Sequence, residues 1–176
     1  MFSRVEERVL GAWERPAPRL LDGLFRASHQ LGRTSVCAGV VAAAALWHLS
    51  RRERSSAALW LGLGASTFAL QAGLKRVAGR ERPRRWRRGI EETGYSFPSG
   101  HALASATLYP LLARSLTRRR AGWSTVARGL GAGIAAAVGL GRVYLGLHWP
   151  SDVVAGWLLG AGQLALGEAA VRRFSR

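Results

Sequence analysis

Five stretches of the chain are almost wholly apolar: about Thr34 to Leu49, Ala57 to Leu74, Gly100 to Leu116, Ser124 to Leu140 and Val153 to Val171. Clusters of arginine separate them. About 20 mostly apolar helical residues cross a bilayer, so the pattern predicts membrane helices joined by basic connections. Trp47, Trp60, Trp123 and Trp149 fall near the ends of these stretches, where an amphipathic ring can sit among lipid headgroups. Gly129, Gly133, Ala137 and Gly141 recur every four residues and share one helix face, and Gly156 and Gly160 form a second such pair. Small residues let helices approach closely in lipid. Close packing at these faces is one reading, and chance in a chain rich in Gly and Ala is the other.

Residues 1–33 break the pattern. Val5, Val9, Leu10, Trp13, Leu20, Leu21, Leu24 and Phe25 alternate with Glu6, Glu7, Arg8, Arg19, Asp22 and Arg26. Without an uninterrupted apolar core the segment is neither a signal peptide nor a convincing span. Pro16 and Pro18 divide it into two short helices. It reads as an amphipathic section lying in the membrane interface. The expected organisation is therefore an interfacial segment over 1–33 and a transmembrane domain over 34–176. The fold class is all-α, a polytopic bundle of five to six membrane helices, six only if the first segment crosses.

Composition narrows the function. Lys plus Arg number 26 against 10 Asp plus Glu, for a net charge of +16 over 176 residues, of which 48% are hydrophobic. The mean hydropathy of +0.04 averages apolar spans with very basic connections. Long apolar runs exclude a disordered basic tail. The single cysteine, Cys37, excludes an intrachain disulfide scaffold and reads as a small buried hydrophobe. The charge first suggests nucleic acid, but the cations punctuate spans rather than forming one soluble face, so they read as topology signals and headgroup contacts. The exception is the run Lys75, Arg76, Arg80, Arg82, Arg84, Arg85, Arg87 and Arg88, whose density also suits phosphate.

Three pieces of sequence carry candidate chemistry, and the predicted crossings bring them to one end of the bundle. They are Lys75 with Arg82-Pro83, then Pro98-Ser99-Gly100-His101, then Arg142 with His148 and Asp152. Arginine gives forked hydrogen bonds to phosphate and lysine adds a point charge. Ser99 and Gly100 lie where a connection enters a helix, a natural anion site. Asp152 is one helical turn after His148, with Pro150 suited to the first helical position. There the carboxylate could fix the imidazole tautomer and leave the other nitrogen free to attack. His29 and His48 read as structural histidines.

These residues, as KRVAGRERP, PSGH and GRVYLGLHWPSD, resemble the three motifs of the type 2 phosphatidic acid phosphatase family, which shares its site with vanadium haloperoxidases. The resemblance covers about Leu74 to Gly160. It implies His148 as the nucleophile that forms a phosphohistidine, with Asp152 orienting it. His101 is implied as general acid and then as base. Lys75, Arg82, Ser99, Gly100 and Arg142 would hold the phosphate, with no metal and no cofactor. The departure is Gly141, where the family usually has Ser, and close helix packing is one reason it could stand there.

The expected function is hydrolysis of a lipid phosphate or diphosphate, such as phosphatidylglycerophosphate, phosphatidic acid or a polyprenyl phosphate. Membrane lipids are the expected partners, and nucleic acid is not. The expected location is the inner (plasma) membrane, with the site facing outward as the family usually does; the cations on the two sides nearly balance and do not decide it. The alternatives are a haloperoxidase-like enzyme and a catalytically inactive lipid-phosphate-binding protein on the same fold.

Overall fold

The computed structural model describes residues 2–13, 18–83, 89–90, 92–117 and 123–174. Over them run seven helices: α1 (Phe2–Ala12), α2 (Arg19–Leu31), α3 (Thr34–Ser50), α4 (Arg54–Ala78), α5 (Gly100–Thr117), α6 (Ser124–Tyr144) and α7 (Pro150–Phe174). The described residues contain no strand. Helices α3 to α7 cover the five apolar stretches. Three segments, Arg54–Ala78, Thr125–Tyr144 and Pro150–Arg173, are long and apolar enough to cross a membrane, and Thr34–Ser50 is apolar but shorter. Pro18 stands at the cap before α2, where its fixed φ suits a helix start. Pro16 lies outside the described residues, as do Arg84, Arg85, Arg87 and Arg88 of the basic run.

Helix α5 is the hub and packs mainly against α6 and α7. Its central residues from Ala102 to Tyr109 are all buried, which leaves little of it to meet lipid. The glycines of α7 set how closely it approaches. A Cβ on Gly156 would lie 2.7 Å from the Ser99 carbonyl oxygen, and one on Gly160 would lie 2.6 Å from that of Leu103. The α7 pair thus packs as the small-residue reading has it.

The α6 face does not. Gly129 and Gly133 have nothing within 4 Å of an added Cβ, and the tight contacts come instead from Gly131 against Tyr109 and Pro110 and from Gly139 against Trp157. The four-residue repeat tracked one helix face, but the face that meets α5 and α7 is rotated from it. Only Gly141, at its end, is closely packed, against Phe25 and Ser28 of α2.

A second expectation also fails. Trp60 is fully buried, in a core with Cys37, Val41, Leu63, Ala104 and Leu108. Its indole N–H donates to Ser115 Oγ at 3.2 Å, so an inward hydrogen bond replaces the expected headgroup position. Trp123 and Trp47 do remain exposed, and the Arg51 guanidinium lies 4.7 Å over the Trp47 ring. His48 is held between Glu53 Oε2 at 2.7 Å and Ser115 Oγ at 3.4 Å.

Two positive-φ glycines aim the ends of the bundle. Gly79, at φ 55°, ends α4 with its N–H on the Lys75 carbonyl and turns the chain toward Arg80 and Arg82. Gly146, at φ 66°, makes the turn that presents His148 before α7. Against this scaffold, Gly160→Leu should destabilise the protein in detergent by about 1–3 kcal/mol through overpacking. Gly133→Leu should leave the thermal midpoint within error. Equal midpoints for the two variants would contradict the packing described.

Candidate active site

The third motif builds the floor of the site. Asp152 sits in the first turn of α7 and is fully buried. Its Oδ2 accepts the Trp149 N–H at 3.0 Å, and its Oδ1 accepts from Arg80 Nη1 at 2.7 Å. Oδ2 also lies 3.4 Å from His148 Nδ1. On the far side of that ring, Arg82 Nη1 lies 3.1 Å from His148 Nε2. A guanidinium is donor-only, so Nε2 is the accepting nitrogen and the proton belongs on Nδ1, facing Asp152. Burial, followed by the charges of Arg142 and Arg82, holds the His148 pKa well below its usual 6.5. The result is a neutral imidazole whose lone pair points at the cation cluster.

The second motif is tied to the third through the backbone. The Ser99 N–H donates to the Asp152 carbonyl at 3.0 Å, and Ser99 Oγ accepts the Ala102 N–H at 3.4 Å. The Ser99 hydroxyl therefore caps α5. At Gly100 a Cβ would fall 1.7 Å from Gln71 Oε1, so any larger residue where α5 begins beside α4 would have to displace the Gln71 amide. His101 follows one residue on, with a buried Nε2 that has no hydrogen-bond partner. Such an orphaned nitrogen calls for an explanation, and it borders a cavity.

That cavity holds about 320 Å³ and is lined by Lys75, Arg82, Glu92, Gly100, His101 and His148 among others. The two imidazoles expected to divide the chemistry thus line one space at one mouth of the bundle. Lys75 Nζ donates to the Tyr95 carbonyl at 2.5 Å. Arg82 is nearly buried, with Nε on the Gly94 carbonyl at 3.0 Å and Nη1 on that of Leu147 at 2.8 Å. Arg142 is fully buried behind Glu92.

Four participants carry no motif in the sequence. Glu92 Oε2 lies 3.0 Å from Arg82 Nη1 and pairs with Arg142 Nη2. Burial pushes its carboxyl up, but the charge and hydrogen bond of Arg142, with His101 and Arg82, outweigh that and hold it at about 2. His29 is no remote structural histidine. Its Nδ1 meets Arg142 Nη1 at 2.6 Å, and its ring stacks on His101 at 5.0 Å between centroids and 11° between planes. Arg80 bridges Asp152 to Glu6, with Nη2 on Glu6 Oε2 at 2.6 Å. Glu6 in turn accepts from the Ser151 N–H and hydroxyl at 3.1 and 2.5 Å. Arg80 was visible only as part of a basic run, and nothing in the spacing marks the other three. Donor atoms of His29, Glu92 and His101 lie within 4.8 Å of one another, a spacing open to a metal ion. The two arginines on Glu92 supply positive charge that opposes a dication there.

A family profile described as the PAP2 superfamily matches residues 56–174. The chain belongs to that superfamily. It is 34% identical over 145 residues to the decaprenylphosphoryl-5-phosphoribose phosphatase of Mycolicibacterium smegmatis, covering 79% of this chain and 72% of that protein. It is 46% identical over 69 residues to the undecaprenyl-diphosphatase of Sulfolobus acidocaldarius, covering 39% of this chain and 30% of that protein. The chain thus spans less than a third of that relative's length. A transmembrane PAP2 type phosphatidylglycerolphosphate phosphatase from Bacillus subtilis superposes with a TM-score of 0.89 at 25% identity, covering 97% of this chain and 86% of that one. Long apolar helices and this likeness make the protein a membrane protein with transmembrane helices.

The structure also accounts for Gly141. A Cβ there would lie 2.6 Å from Ser28 Oγ and 3.2 Å from the Phe25 carbonyl oxygen, so α2 occupies the room a side chain would need. Gly141→Ser should cost about 1–3 kcal/mol in detergent-solubilised protein. Adding Ser28→Ala should recover much of that loss, giving a double-mutant coupling of at least about 0.5 kcal/mol. Strict additivity in thermal melts would contradict the assignment of the clash.

Proposed function

We propose that the protein is an integral membrane phosphatase that hydrolyses the phosphate monoester or diphosphate of a lipid through a phosphohistidine, without a metal ion. The observation that carries the reading is His148, neutral and buried, with Nδ1 facing Asp152 and Nε2 facing Arg82 at the cavity that Lys75, Arg82 and His101 line. The PAP2 membership and the lipid-linked phosphates named for relatives supply the substrate class.

In the first step the Nε2 lone pair attacks phosphorus. The P–N bond forms as the P–O bond to the lipid breaks, and His101 gives its proton to the departing alkoxide. Lys75, Arg82 and Arg142 stabilise the charge on the phosphoryl oxygens, together with backbone N–H groups at the start of α5 near Ser99 and Gly100. In the second step His101 takes a proton from water, the water oxygen attacks phosphorus, and the P–N bond breaks. Inorganic phosphate leaves and both imidazoles return to their starting states. Asp152 holds the proton on Nδ1 and stabilises positive charge on the ring as the intermediate forms.

Helices α1 and α2 lie in the interface beside this mouth. Val5, Leu20 and Leu24 are exposed on them, an arrangement suited to burial among headgroups and upper acyl chains. The reading places the site on the outward face of the cell membrane, following the family resemblance.

Purified enzyme should release phosphate from at least one of phosphatidylglycerophosphate, phosphatidic acid and polyprenyl phosphate or diphosphate, with undiminished rate after chelation. His148→Ala should lower turnover by at least about 10³-fold, and acid-labile, base-stable phosphate should be trapped on wild-type protein. Turnover confined to soluble esters, or retained without His148, would refute the proposal. For orientation, Gly89→Cys in a Cys37→Ala background should react with an impermeant maleimide in intact cells. Labelling only after lysis would reverse the assigned face.

A further inference from the structure

The phosphoryl cavity contains an anion of the protein's own. Glu92 places one carboxylate oxygen between Arg82 and Arg142, the two forked donors that the phosphatase reading assigns to substrate. A carboxylate and a phosphoryl group offer such donors the same thing, a charged oxygen acceptor. They therefore compete for the same N–H groups. Glu92 is also built to move. It lies on the connection between α4 and α5, its side chain is 22% exposed, and residues 93–95 after it are exposed. Arg142, by contrast, is fixed in α6 and fully buried. Withdrawing Glu92 disturbs no helix packing, whereas withdrawing Arg142 would.

We infer, resting on the phosphatase reading, that Glu92 is an affinity-setting residue for the reaction, an internal competitor that an incoming phosphoryl group displaces from the arginine pair. While Glu92 is in place the two buried cations stay neutralised. Only the fraction of molecules with Glu92 withdrawn can bind, so every phosphoryl ligand shows a dissociation constant raised by one common factor. Inorganic phosphate, held by the phosphoryl contacts alone, then falls below useful affinity, and product leaves. A lipid phosphate, concentrated in the bilayer and held by its tail as well, still occupies the site.

The test uses the full chain in detergent micelles, as wild type, Glu92→Gln and Glu92→Asp. Two constants are measured for each, the inhibition constant of inorganic phosphate and the KM of a hydrolysed lipid phosphate. Glu92→Gln should lower both by a common factor of about ten or more, and phosphate should raise its thermal midpoint more than it raises that of wild type. Glu92→Asp, which keeps the charge on a shorter stem, should shift both constants the same way by less. A purely structural ion pair predicts a lower midpoint with no tightening.

Phosphate inhibition within twofold of wild type in Glu92→Gln, or weaker, overturns the inference. So does a tightening of phosphate with no matching fall in KM. If Glu92→Gln does not fold, Glu92→Asp decides, and a phosphate constant at or above the wild-type value overturns it. A wild-type protein that hydrolyses no phosphate ester would sink the phosphatase reading instead. The phosphate-dependent melting of the variants would still report on Glu92.

Discussion

Two guanidinium groups taken out of water at one mouth of a helical bundle must be answered by acceptors. Arg82 and Arg142 are 7% and 0% exposed, and an uncompensated buried charge costs several kcal/mol. The chain meets the demand with Glu92, the carbonyls of Gly94, Tyr95 and Leu147, and the ring of His29. Each acceptor belongs to a segment that would otherwise be an unconstrained connection or a separate helix. The arginines thereby fix the loop before α5, the loop before α7 and the end of α2. His148 is placed because the Leu147 carbonyl beside it is spoken for.

A second cation organises the layer behind. Arg80 joins Asp152 to Glu6, and Glu6 reaches the start of α7 through Ser151. Asp152 therefore has one oxygen on Arg80 and the other on the Trp149 N–H, with His148 Nδ1 3.4 Å from that second oxygen. A carboxylate so saturated keeps one orientation, which is what a tautomer-fixing group needs. These bridges make α1 part of the chemistry's support, as His29 on Arg142 does for α2. The boundary near residue 33 separates different compositions, but the site draws side chains from both sides of it.

What the sequence made legible follows from which features are local. Apolar runs report burial or lipid over a whole helix, so α3 to α7 appear within a few residues of where the composition places them. The motif residues were legible because each occurs with partners at fixed spacing, and the structure gathers Lys75, Arg82, His101 and His148 around one cavity. Trp60 was misread because nearness to a span end says nothing about which way a ring points, and Ser115 lies inward. The α6 glycines left two readings open because periodicity defines a face without naming its neighbour, and of the three glycines on that face only Gly141 is closely packed. Glu92, His29 and Glu6 were invisible for a stricter reason. A lone polar residue carries no period, and its role is set by arginines 10 to 113 positions away in the chain.

Gly141 shows how such distant dependence alters a motif from outside. A hydroxyl at this point would sit on α6, one residue before Arg142, and would face Phe25 and Ser28 of α2. Here α2 occupies that space, and its Ser28 hydroxyl lies 2.8 Å from the Phe25 carbonyl and 3.2 Å from the Ala137 carbonyl, donating between them. That hydroxyl joins α2 to α6. The same close approach carries His29 to Arg142 and into a stack on His101. The lack of room for a side chain at 141 and the presence of His29 at the site are two consequences of one packing distance. A serine at 141 would therefore press on the helix that supplies His29, and its effect would reach the site through α2 as well as through α6.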